Sequence, residues 1–151
     1  MQDPFCNEEA YSKTVFYESD YFRVLYDLRP VIRGHVLFVS KRHVTNLLEL
    51  NNEEIGDLHK TFMKVIPAIL KVYGATDESY DITSQIGPYS GRTVPHLHFH
   101  VLPRSRSDEY QNEEKNIFDD LKLNRTHFGA SDVETEVKKL RKEFGYKPKT
   151  K

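Results

Sequence analysis

His96-Leu97-His98-Phe99-His100-Val101-Leu102 is the stretch on which the reading of this chain turns. Three of the seven histidines fall within five residues, and Leu97, Phe99 and Val101 alternate with them. In a strand successive side chains point to opposite faces, so residues i, i+2 and i+4 share one. The alternation predicts a strand over Val94 to Leu102. It puts three imidazoles on one face, about 6.5–7 Å between next neighbours, with the apolar partners toward the core. A polar face on a rigid element suits chemistry that depends on position.

Three readings of that face compete. Histidines can simply line the solvent side of a surface strand, although strict alternation of three argues against it. His-x-His on a strand can bind zinc, but a third ligand must come from elsewhere, and no carboxylate lies nearby in sequence. Phosphoryl or nucleotidyl transfer is the third. Imidazole is a competent nucleophile, and neighbouring imidazoles can donate to phosphate oxygens or to a leaving group. The preceding segment Gly87-Pro88-Tyr89-Ser90-Gly91-Arg92-Thr93 leans toward this reading. Its glycine-permitted backbone can form an anion-binding nest, with a guanidinium and a hydroxyl beside it. Asp27 offers a carboxylate able to accept two hydroxyl donors, and Gln85 a neutral amide near the nest.

Working outward, Thr14 to Tyr17 and Phe22 to Tyr26 read as a hairpin around Glu18-Ser19-Asp20. His35 to Val39 is a short apolar run, expected as a central strand after the Pro30 and Gly34 punctuation. Asn52-Glu53-Glu54 opens one long helix, with Asn52 as cap, an apolar face from Ile55 to Tyr73, a kink at Pro67 and an end at Gly74. Asp81 to Ile86 is a further strand, Ile117 to Leu123 a short helix, and Ser131 caps a last helix. Residues 105–116 are expected to form a mobile loop and 147–151 a frayed tail. The sum is a single α+β domain over 1–151.

Composition excludes several classes. Lys plus Arg number 22 and Asp plus Glu 23, so nothing draws the chain toward nucleic acid or membrane in general. With 38% hydrophobic residues the chain is expected to fold around a core. Cys6 is the only cysteine, which rules out an intrachain disulfide and fits a reducing compartment. The N-terminus has no signal-peptide pattern, and no apolar run approaches membrane-spanning length. The expected location is the cytoplasm and, by diffusion, the nucleus.

His96 to Leu102 resembles the His-φ-His-φ-His-φ-φ signature of the histidine triad (HIT) superfamily. Thr14-Val15-Phe16, Arg29-Pro30-Val31-Ile32-Arg33-Gly34-His35-Val36-Leu37, Gln85-Ile86-Gly87-Pro88 and Gly91-Arg92-Thr93-Val94-Pro95 extend the likeness to the fragile-histidine-triad (Fhit) branch, over roughly residues 5 to 125. The resemblance implies an antiparallel sheet of about five strands with one long helix and a C-terminal helix, forming a homodimer across the long helix. It implies cleavage of diadenosine triphosphate and related dinucleotides to AMP plus ADP. His98 would be the nucleophile. His96 and His100 would bond phosphate oxygens and hold the tautomer of His98, with His35 in support. Gln85, Gly91, Arg92, Thr93, Val94 and His100 would meet the phosphates or leaving group, Asp27 the ribose, and Phe5 and Leu25 the base.

Arg92 stands where relatives often carry Gln, and Phe118 where some carry a regulatory tyrosine that Tyr110 cannot be assumed to replace. A zinc-binding branch uses a cysteine pair with histidines. With Cys6 alone, no metal is expected despite His43. No cofactor is obligatory, and Mg2+ or Mn2+ is expected to stimulate by screening polyphosphate. Two alternatives share the site: a phosphoramidase, as in the sister branch, and a dinucleotide-binding signalling module whose bound complex is the output.

Overall fold

The computed structural model describes residues 3–111, 114–124, 126 and 128–149. After a short helix α1 (Glu8–Tyr11) come strands β1 (Val15–Glu18), β2 (Phe22–Tyr26) and β3 (Val36–Ser40). A 3₁₀ turn at Leu47–Glu49 leads to the long helix α2 (Asn52–Val72). Strands β4 (Ser79–Thr83) and β5 (His98–Arg104) follow, then helices α3 (Ile117–Lys122) and α4 (Ala130–Phe144). The strands form one antiparallel sheet in the order β1-β2-β3-β5-β4. No described helix is long and apolar enough to cross a membrane.

Period-2 alternation sorts the sheet into two faces. Phe22, Val24, Tyr26, Val36, Phe38, Phe99 and Val101 form the main core with Val65, Ile66 and Ile69 of α2 and Val133, Val137 and Leu140 of α4. Each such side chain, taken from water, contributes about 1.5–3 kcal/mol. The opposite face carries Val15, Leu25, Leu37 and Val39, against which Phe5 and Tyr11 of the N-terminal segment pack. His100 lies opposite Leu37 and His98 opposite Val39, so both join this second face. The two long helices, α2 and α4, pack on the first face and leave this one to the site.

Several boundaries differ from the sequence expectation for identifiable reasons. The last core strand begins at His98, not Val94. Pro95 has no N–H to give to a sheet interior, and Leu97 N instead bonds Val44 O at 2.7 Å. His96 therefore precedes the strand. Asn51, not Asn52, caps α2: its side chain accepts from Glu54 N at 2.9 Å while Glu54 accepts from Asn51 N at 3.1 Å, a reciprocal capping box. α2 then runs unbroken through Pro67. Gly129 caps α4, not Ser131, because Asp132 reaches back to Gly129 N at 2.9 Å. The fourth strand is Ser79–Thr83 rather than 81–86, set by pairing with His100 to Arg104. α1 had no periodicity long enough to be foreseen. Within 105–116, Asp108 holds Arg104 at 3.0 Å, and the Tyr110 hydroxyl donates to Val31 O at 3.0 Å.

Candidate active site

A cavity of about 310 Å³ opens on the second face. His98, His100, Thr93, Val94, Asp27, Leu25 and Phe5 line it, bringing together seven of the residues singled out from sequence. His35 is fully buried behind His100. Gln85 and Gly91 sit beside each other at the rim loop: a Cβ on Gly91 would come within 3.6 Å of Gln85 Nε2. Gly91 has φ +90° and Gly87 φ +92°, the left-handed backbone that glycine permits without strain. Ser90 Oγ closes that turn on Gly87 O at 2.8 Å. A larger hollow of about 930 Å³ lies elsewhere, between α2 and β4, and is lined mainly by apolar groups.

The ring protons of the buried histidines follow from their partners. A carbonyl oxygen only accepts, so the 2.7 Å contact between His98 Nδ1 and His96 O places the proton on Nδ1. Nε2 of His98 then carries a lone pair. His35 Nδ1 accepts from Val31 N at 3.2 Å, so its proton sits on Nε2. That nitrogen is 2.9 Å from His100 Nδ1 and 3.3 Å from Asp27 Oδ2. His100 Nδ1 must therefore accept, which leaves its Nε2 as a donor. The opposite assignment would strip His35 of both protons. Asp27 is itself held by Arg29 N, which donates to Oδ1 at 2.7 Å.

Electrostatics agree with neutral rings. Burial pulls His98 below its ordinary value; the Asp27 carboxylate works against that shift and the Arg92 guanidinium adds to it. Burial also lowers His35, and it drives His100, next to His35 and His98, down to about 2. A neutral imidazole with a bare Nε2 is the form that can attack an electrophile.

His96 sits differently from the other two. Its Nε2–H donates to Ser40 O at 2.7 Å, and its Nδ1 faces Asp3 at 3.2 Å and Cys6 Sγ at 3.5 Å. Its ring is thus turned toward the N-terminal segment, and the expected hold on His98 comes from its main-chain carbonyl. Phe5 lies against the His98 ring with centroids 5.1 Å apart.

Pro4, Tyr11, Thr14, Arg29, Leu37 and Asn124 also line the cavity and were not singled out from sequence. Leu37 follows from strand pairing once Leu25 is placed, whereas Thr14 precedes β1 and alternation would put it on the Phe16 face. Asn124, at φ +53° just after α3, has no signal tying it to the triad. Phe118 is half exposed, whereas Tyr110 is buried and its hydroxyl also lies 2.7 Å from Asp120 Oδ2.

The family model described as HIT domain matches residues 8–107, a span that holds the three imidazoles and the glycine-rich rim. The chain belongs to the HIT domain family. This HIT protein is 36% identical over 99 residues to the bis(5'-nucleosyl)-tetraphosphatase [asymmetrical] of Schizosaccharomyces pombe, covering 66% of this chain and 53% of that one. It is 40% identical over 94 residues to the bis(5'-adenosyl)-triphosphatase of Saccharomyces cerevisiae, covering 62% and 45%. The crystal structure of the C. elegans NitFhit protein superposes with a TM-score of 0.66 at 31% identity, over 86% of this chain and 27% of that one. The HIT chain thus spans about half the length of the two yeast relatives.

Proposed function

We propose that this HIT protein hydrolyses dinucleoside polyphosphates, diadenosine triphosphate foremost, to AMP plus ADP through a nucleotidyl intermediate on His98. The observation that carries this reading is the His98 Nδ1–H bond to His96 O at 2.7 Å, which aims an unprotonated Nε2 into the cavity. The names of the yeast relatives support the substrate class.

In the first step the Nε2 lone pair forms a bond to the α-phosphorus. The bond from that phosphorus to the bridging oxygen breaks, and ADP leaves with the electron pair. His100 Nε2–H donates to a non-bridging oxygen as its charge grows. In the second step water attacks the same phosphorus, the P–N bond breaks toward His98, and the proton lost from water goes to solvent. AMP is released and the neutral ring is restored. Arg92 and the Gly87–Gly91 turn supply positive potential and backbone donors to the polyphosphate. Leu25 and Phe5 offer apolar walls to the base, and Asp27 keeps lone pairs for ribose hydroxyls. Mg2+ or Mn2+ would screen the polyphosphate charge without being required.

The homodimer belongs to the same proposal. β4 ends the sheet, and Met63, Tyr80 and Ile82 are exposed along the large hollow beside it. An apolar edge of this kind calls for a cover. Ile82→Asp with Met63→Glu should convert dimer to monomer in sedimentation; an unchanged mass removes this face from the proposal.

Hydrolysis in ¹⁸O-labelled water tests the chemistry. Label in AMP alone, together with an adenylyl group recovered on a His98 peptide after acid-free quenching, is the expected result. Label in ADP, or an adduct elsewhere, overturns it.

A further inference from the structure

We propose that Lys122, at the C-terminal end of α3, determines substrate specificity: with Arg92 it forms a cationic rim that grips the phosphates of the departing nucleotide. The inference rests on the reading of His98 as the group that accepts the nucleotidyl moiety.

The charge balance of the site calls for such a rim. Burial holds His35, His98 and His100 neutral, and Asp27 brings a carboxylate to the cavity wall. A dinucleoside polyphosphate carries a negative charge on each phosphate, so positive charge must come from side chains at the cavity mouth. Arg92 adjoins Thr93 of the wall, close enough for its guanidinium to act on His98. Arg29 lines the cavity beside Asp27, at the ribose end.

Lys122 reaches the other end. Its stem crosses the Gly87–Gly91 turn: a Cβ on Gly91 would lie 3.4 Å from Lys122 Cγ and 3.7 Å from Cε, with Gln85 Nε2 at 3.6 Å. The bare Cα of Gly91 lets the stem lie flat, and the ammonium, one bond beyond Cε, stays beside the turn read as an anion nest. Among the described residues no carboxylate pairs with Lys122 or Arg92. A lysine in the last turn also complements the helix dipole, but any direction of the stem would serve that role, and it does not place the stem on Gly91.

α3 is fastened to the same wall. Ile117 and Leu121 pack with Val31, Ile32 and Leu102. The Tyr110 hydroxyl lies 2.7 Å from Asp120 Oδ2 of α3 and 3.0 Å from Val31 O. Thr126 Oγ1, just after the helix, donates to Pro30 O at 2.9 Å. These contacts tie α3 to the connection between Asp27 and His35. Asn124 lines the cavity itself, alongside His98 and His100. Lys122 is therefore carried to the mouth by an anchored helix end.

As the bond from the α-phosphorus to the bridging oxygen breaks, negative charge grows on the departing nucleotide, and cations on that side stabilise it. A leaving group without phosphate gains nothing from them. The rim therefore selects for charge on the leaving side.

Lys122 is exposed, so its replacement leaves the core intact. The full chain and its Lys122→Gln, Lys122→Glu and Lys122→Arg variants are assayed on diadenosine triphosphate, diadenosine tetraphosphate and the 4-nitrophenyl ester of AMP, whose leaving group carries no phosphate. The readout is kcat/KM on each dinucleotide divided by that on the ester. Lys122→Gln should lower this quotient about tenfold, the scale of one exposed charge-assisted hydrogen bond. Lys122→Glu should lower it further, and Lys122→Arg should keep it. High salt should narrow the gap between the unaltered chain and Lys122→Gln. Inorganic tripolyphosphate should compete with the ester, and about tenfold more weakly in Lys122→Gln. A quotient unchanged in Lys122→Gln, whether through no loss or through equal loss on every substrate, overturns the role of Lys122. An unaltered chain that cleaves the ester but neither dinucleotide overturns the substrate reading instead. The tripolyphosphate competition then still decides on Lys122, and an unchanged inhibition constant overturns it.

Discussion

The two flanks of His98 are built on different principles. On one side, Val31 N, His35, His100 and Asp27 form a chain in which each proton has an assigned owner. On the other, contacts of Asp3 and Cys6 with His43 and His96 tie the N-terminal segment to the first triad histidine. A flank saturated by hydrogen bonds is rigid by itself and sets tautomers. The contrast separates positioning of the chemistry, on the His100 side, from positioning of the pocket wall, on the Phe5 side.

The comparison can be broken most drastically at its centre. His98→Asn keeps polarity and approximate size, and turnover of diadenosine triphosphate should fall on the order of 10⁴-fold or more, as for other covalent nucleophiles. Comparable turnover would end the covalent reading. On the saturated flank, His35→Phe removes the donor to His100 and the acceptor for Val31 N. kcat should drop about 10–100-fold, in the range seen for outer partners of functional histidines. Urea midpoints should reveal about 1–3 kcal/mol lost to the unpaired buried amide. A change confined to stability would make His35 structural only.

Acid sharpens the same contrast. His35, His98 and His100 are held neutral by burial, with values below their ordinary one. The unfolded chain takes up protons below about pH 6.5, which the folded chain resists. Their contribution is fully present above that pH and is lost as pH falls, down toward the His100 value of about 2. Urea midpoints at pH 7, 6 and 5 should decline in that order; a flat series would contradict neutral burial. Asp3→Ala probes the other flank: it should raise KM more than it lowers kcat, because it loosens Phe5 rather than the reacting nitrogen. Smallest is Asp27→Asn. The Asp27 charge opposes the lowering of His98, so its removal should move the acid limb of kcat/KM to lower pH. An unmoved limb would mean that Asp27 acts through the ribose alone, and an upward move would overturn the charge argument.

Alternation along 96–102 was enough to place His98 and His100 on one face of a core strand, and the apolar run at 35–39 to name the sheet's central strand. It misplaced His96, because Pro95 interrupts the ladder and side-chain period cannot show that. Asp27 and Thr93 were legible as polar residues next to turns, Val94 only through the family resemblance, and the cavity collects all three. The N-terminal segment was nearly opaque. Asp3 and Cys6 meet His43 and His96 only through contacts 37 to 93 residues apart in sequence, and neither alternation nor helical period encodes such closures. α1, with four residues, is too short for any periodic signal. The caps Asn51 and Gly129 were each missed by one or two positions, since Asn51-Asn52 and Gly129-Ala130-Ser131 offer competing caps and the reciprocal acid decides between them.

The acceptor that keeps the His98 proton in place is a peptide oxygen, belonging to residue 96 whatever its side chain. Side-chain replacement along the triad will therefore misjudge that position. Exchanges at 96 leave the oxygen in the chain and report only on the ring's dealings with Ser40 and the N-terminal segment. The dependence becomes visible only when the main chain itself is edited, for instance by an ester in place of the 96–97 amide, which weakens that oxygen as an acceptor. The nucleophile's readiness is in this sense written into the backbone, beyond the reach of a codon change at that site.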